Sequence, residues 1–97
     1  MKMDACGVLW FRDARQYAEY LEICEDADRL PATYDRWKEV AEKSIARGDF
    51  ANTRLIKIDA EPEEIARWCA AEGKVVNAEA RKLYTSAKAL EKLVSEV

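Results

Sequence analysis

Residues 5–11 read ACGVLWF, a continuous apolar run with no charge inside it. Its shortness, its valine and its aromatics favour a β-strand over a helix. Side chains alternate along a strand, so Cys6, Val8 and Trp10 face one side and Leu9 and Phe11 the other. Both faces are apolar. Such a strand has to be covered on both sides, by helices or by another subunit. A second run, TRLIKID at 53–59, reads as another strand, with Leu55, Ile56 and Ile58 as its apolar content.

The rest of the chain is patterned for helices. Asp13 offers an N-cap, and Tyr17, Tyr20, Leu21 and Cys24 then fall at helical spacing. Glu25, Asp26 and Asp28 oppose the dipole at a helix C-terminus, so a break is expected there, and Pro31 reinforces it. Thr33 is the next N-cap, with Asp35 in the first turn and a stripe of Tyr34, Trp37, Val40, Ala41, Ser44 and Ile45 up to Gly48. Pro62 opens a third helix, whose stripe is Ile65, Trp68 and Cys69 and whose end is Gly73. Asn77 caps the last helix. There Leu83, Ala87, Leu90, Val94 and Val97 alternate four and three apart, with Ala80 and Tyr84 extending the stripe.

These elements predict one domain over residues 1–97 of class α/β (α+β-like). The order is β-α-α-β-α-α, a small two-stranded sheet packed with four helices. Antiparallel pairing of the strands is favoured, because two intervening helices return the chain to its starting end. Packing of the last helix stripe on the chain's own sheet is the simplest use for it.

Several chemistries are excluded by composition. There is no histidine, which removes cysteine–histidine and serine–histidine catalysis and the commonest transition-metal ligand. The three cysteines, at 6, 24 and 69, are odd in number and widely spaced, so neither a disulfide framework nor a zinc site is indicated. Cys24 and Cys69 lie on apolar stripes and read as buried small hydrophobes. The acidic EDAD at 25–28 lacks the pattern of a calcium loop and reads as a solvated helix end. The three glycines stand alone, so no phosphate-binding loop exists. No catalytic residue, metal or cofactor is picked out.

Partners are bounded in the same way. The net charge is −3, and the basic residues of the last helix, Arg81, Lys82, Lys88 and Lys92, are interleaved with acids, as on a solvated face. Aligning residues 63–84 as a helix-turn-helix puts Glu72, Lys74, Glu79 and Lys82 where apolar residues are required, and the match fails. Nucleic-acid binding is therefore the weakest of the functional readings. No apolar run approaches the ~20 residues of a membrane span. The opening MKMDACGVLWF is too short and too acidic for a signal peptide. A reduced, cytoplasmic protein is expected.

What remains is association. Three tryptophans, four tyrosines and two phenylalanines, Phe50 among them, are many for this length. Most serve a core, and the rest suit an interface. A two-stranded sheet is too small to stand alone, and joining two sheets across a two-fold axis would shield an edge. The stripe at 83–97 offers a second route to a dimer. The leading reading is a non-enzymatic interaction or accessory protein. It would be homodimeric, with an unidentified protein partner as a further association. Tyr34, Trp37, Trp10, Leu90 and Val94 are the candidate contact residues. The alternative is a small ligand-binding protein or enzyme, with an aromatic pocket between helices and sheet and polar groups from carboxylates, tyrosines or arginines.

The segments LPATYDRW (30–37), IKIDAEPEEIARWCAAEG (56–73) and NAEARKLYTSA (77–87) carry a resemblance. Over about residues 8–87 the chain resembles a family of short, uncharacterised bacterial proteins. Its members share the leucine-proline-x-threonine-tyrosine-x-x-tryptophan segment, a strand ending in an acid, and a helix bearing tryptophan-cysteine. The resemblance implies a bacterial source and an accessory role tied to variable genomic regions and mobile elements. The family has no established activity, so it implies no catalytic residues.

Overall fold

The apolar run becomes strand β1 (Asp4–Trp10), which pairs along its length with β2 (Thr53–Asp59), Cys6 against Leu55 and Trp10 against Asp59. The computed structural model describes residues 4–48 and 51–95; Phe50 and Val97 lie outside them. The element order β-α-α-β-α-α is the expected one. The pairing, however, is parallel, which overturns the antiparallel expectation.

The reason lies in what the two intervening helices do. Helix α1 (Ala14–Ile23) and a single 3-10 turn (Ala27–Arg29) form an excursion that starts and finishes at the C-terminal end of β1. The Tyr17 hydroxyl donates to the Pro31 carbonyl, and the Tyr34 hydroxyl reaches the Phe11 carbonyl at 3.5 Å. Helix α2 (Tyr34–Ala46) then travels the length of the sheet by itself. It starts with Trp37 against Trp10, ring centroids 5.1 Å apart, and ends with Ile45 sharing a cavity wall with Leu55. One traversing helix brings the chain back to the end where β1 began, and β2 enters parallel.

Local signals set the helix ends. Gln16 N–H donates to Asp13 Oδ1 (2.8 Å) and Arg36 N–H to Thr33 Oγ1 (3.2 Å). Past Ile23 the acidic residues leave the helix, and Glu25 N–H donates to the Val76 carbonyl at 2.8 Å. Pro62 opens helix α3 (Pro62–Ala71), and Gly73, at φ +68, ends it in the left-handed region. Asn77 Oδ1 accepts from Ala80 N–H (3.0 Å) at the start of helix α4 (Ala78–Ser95).

Helix α4 lies across the sheet face that carries Gly7, Leu9, Ile56 and Ile58. Contact is closest at Gly7, where an added Cβ would sit 2.5 Å from the Thr85 carbonyl oxygen. Thr85 turns its hydroxyl back onto the Arg81 and Lys82 carbonyls (3.0 and 3.1 Å), so that hydroxyl is satisfied within the helix. Helices α1 and α3 complete this layer, burying Phe11, Tyr17, Tyr20, Ile65, Cys69 and Tyr84. The opposite face is covered more thinly. There Cys6, Val8 and Trp10 are half-buried, and no residue of α2 is fully buried. The Lys57 ammonium closes part of the gap, 4.1 Å from the Trp10 ring centroid. The strand is thus covered on both sides, unequally.

The C-terminal ends of the strands are tied by polar contacts. Buried Gln16 accepts from Arg12 N–H (2.9 Å) and donates to Asp59 Oδ1 (3.3 Å), and Arg12 pairs with Asp59 and Glu61, each at 3.5 Å.

Candidate interaction site

Helix α4 has two apolar faces. Ala80, Tyr84 and Ala89 are buried against the sheet and α3. Leu83, Leu90 and Val94 point the other way and are 42, 62 and 63% exposed. With the half-buried Ala87 between them they keep the four-and-three spacing of a coiled-coil seam. The expectation that this stripe packs on the chain's own sheet is therefore corrected. At about 100° per residue, Leu83, Leu90 and Val94 lie roughly 80–140° round the helix from Tyr84 and Ala89, off the face that those two bury. Ala80 and Tyr84 belong to the inner face and do not extend the outer one.

A second surface lies along the outer edge of β1. A cavity of about 370 Å³ is bounded by Gly7 and Leu9 of the strand, by Tyr17 and Tyr20 of α1, by Leu30 and Trp37, and by Arg81, Lys82 and Thr85 of α4. Beyond Trp37, on the α2 side of the sheet, is a cavity of about 200 Å³ bounded by Val8, Trp10, Ala41, Ser44, Ile45 and Leu55. Val8, Leu9 and Trp37 border both.

The polar group that shapes the larger cavity is Arg81. It reads in the sequence as part of a solvated basic face, and Asp26 as part of a solvated helix end. Both readings are corrected. The two side chains are 17 and 16% exposed and bond in a bidentate pair, Nη1 to Oδ1 at 2.9 Å and Nη2 to Oδ2 at 2.6 Å. They lie 55 positions apart, so no local pattern joins them. The Arg81 bonds hold the Asp26 carboxyl below the usual carboxylate range. Because the folded pKa is the lower one, this stabilisation is complete above the unfolded pKa and is lost as pH falls through the folded value. In urea unfolding, the stability difference between wild type and Asp26→Asn is expected to be largest near neutral pH and to shrink by about pH 3. A difference that stays constant across that range would count against the pair.

Tyr20 lies beside this pair. It is 1% exposed, and its hydroxyl, close to Cys24 and Arg81, meets no partner at hydrogen-bonding geometry. Burial, reinforced by Cys24, pushes its phenol well above the usual value. Burial also raises the thiols of Cys24 and Cys69. Tyr20→Phe removes an unpaired buried hydroxyl, and is expected to leave stability unchanged or raise it by about 1 kcal/mol. Tyr17→Phe breaks the bond to Pro31 and is expected to cost about 1 kcal/mol. Urea midpoints of the two variants, which remove the same atom type from the same helix, make the comparison direct.

The candidate contact residues thus separate. Leu90 and Val94 are exposed together on α4. Trp37 is half-buried in a cluster with Trp10 (5.1 Å), Phe11 (4.8 Å), Tyr34 (5.8 Å) and Tyr17 (6.2 Å), so most of its ring serves the chain's own packing. Trp10 and Tyr34 are half-buried in the same cluster. Sequence reasoning placed Tyr20 on the buried stripe of α1 but missed its unpartnered hydroxyl and the Arg81–Asp26 pair beside it. Among the described residues no group of three or more potential ligands is placed to hold a metal, and no helix is long and apolar enough to cross a membrane. The chain matches no family model, no curated protein and no solved structure.

Proposed function

We propose that this chain is a non-enzymatic interaction protein that associates with a second copy of itself through the outer face of α4. The observation that carries the reading is the exposure of Leu83, Leu90 and Val94 at coiled-coil spacing, on the face opposite the one α4 packs with. An antiparallel two-fold pairing sets Leu83 opposite Val94, and the small Ala87 opposite Leu90, between the two copies. The resemblance noted above supports a bacterial accessory role, in a cytoplasm that keeps the three thiols reduced.

Light scattering measures this. The wild type is expected to run at twice the chain mass, and Leu90→Asp/Val94→Asp to weaken association about a hundredfold while keeping its helical circular dichroism. A monomeric wild type, or a double variant that stays dimeric, would sink the reading.

A further inference from the structure

The outer edge of β1 is a separate surface. The Trp10 carbonyl accepts from Ala60 N–H at 3.3 Å, so the backbone groups of Trp10 point towards β2. Direction alternates along a strand, so Val8 and Cys6 point the same way, while Gly7, Leu9 and Phe11 point outward. The outward Phe11 carbonyl is met by Tyr34, as described. Among the described residues no backbone group of another segment bonds to Gly7 or Leu9 on that side. The Cys6 thiol, 3.7 Å from the Gly7 carbonyl, is a weak contact. Two consecutive outward positions are therefore open for pairing.

A cavity sits on each face of the sheet at this same point, the larger beside α4 and the smaller beside α2. A strand added to β1 would send successive side chains to opposite faces, and the two cavities are placed to receive them. The rim of the larger cavity is cationic. Arg81 is committed to Asp26, but Lys82 is exposed and has no ion pair among the described residues. The groove has walls on both sides, α4 on one and the Leu30 and Trp37 side chains on the other. That leaves room for a lone chain, whereas a second copy would bring its own walls into the same space.

We infer that the open edge of β1 takes an extended peptide as a third strand. Adjacent apolar side chains of the peptide fill the two cavities, and an acidic residue meets Lys82. This does not rest on the α4 dimer, because the outer stripe of α4 contributes nothing to either cavity.

Short random peptides displayed on phage, selected against the full chain, supply the probe. Enriched sequences are expected to place two adjacent apolar residues beside an acidic one. Synthetic copies of the best peptide, N-methylated at one amide at a time, are expected to lose binding about a hundredfold at alternate amides and little at the others. Amide exchange at Gly7 and Leu9 is expected to slow on binding, and Lys82→Glu to weaken it about tenfold. No enrichment over an unrelated protein would overturn the inference. So would binding that ignores N-methylation and leaves Gly7 and Leu9 unprotected, which marks a side-chain pocket. Capture abolished by Leu90→Asp/Val94→Asp would overturn it too, since that places the peptide on α4.

Discussion

Gly7→Val is expected to cost about 3 kcal/mol or more of folding stability, a large part of what holds a domain of this size together. The first added carbon already meets the Thr85 carbonyl oxygen at 2.5 Å and the Ala89 methyl at 3.0 Å. The first of these is backbone and cannot swing aside. Relief requires α4 to lift from the sheet, which opens the core around Ala89 and Tyr84. Gly48→Ala is the control. Gly48 has φ +85 and nothing within 4 Å of its added carbon, so that change costs about 1 kcal/mol, from backbone conformation alone. Urea denaturation of both variants separates contact from conformation. A Gly7→Val protein as stable as wild type would mean that α4 does not lie this close to β1.

Arg81→Ala is expected to cost about 3 kcal/mol, because it strands the mostly buried Asp26 carboxylate without its counter-charge. Arg81→Lys should not restore the loss, since an ammonium cannot make the bidentate contact. Replacing both partners at once, as Arg81→Met with Asp26→Asn, should recover part of it, because no charge is then left buried and unpaired. A double-mutant cycle on urea unfolding gives the coupling directly. Additive single-variant losses would show that the two side chains do not act as a pair.

Legibility differed between elements for a physical reason. The caps at Asp13, Thr33 and Asn77 and the stop at Gly73 were readable because each involves residues within a few positions of one another. The outer stripe of α4 was readable as a spacing but not as a direction. Leu83, Leu90 and Val94 repeat as regularly as a core seam would, and Ala80, Tyr84 and Ala89 supply a second, smaller-featured seam on the same helix. Strand polarity was misjudged because counting two helices assumed that both cross the sheet. The Tyr17–Pro31 and Tyr34–Phe11 contacts show instead that α1 and the turn after it make a local loop.

By itself, then, the sequence determined which segments are strands and helices, where most of the helices start and stop, and that β1 would be apolar on both faces. Those features depend on backbone hydrogen bonds and side-chain alternation over a few residues. The parallel pairing, the inward face of α4, the Asp26–Arg81 pair and the open edge between two cavities were decided only by the tertiary structure. Each depends on which distant segments meet, and contacts formed across tens of residues leave no period in the chain to be read.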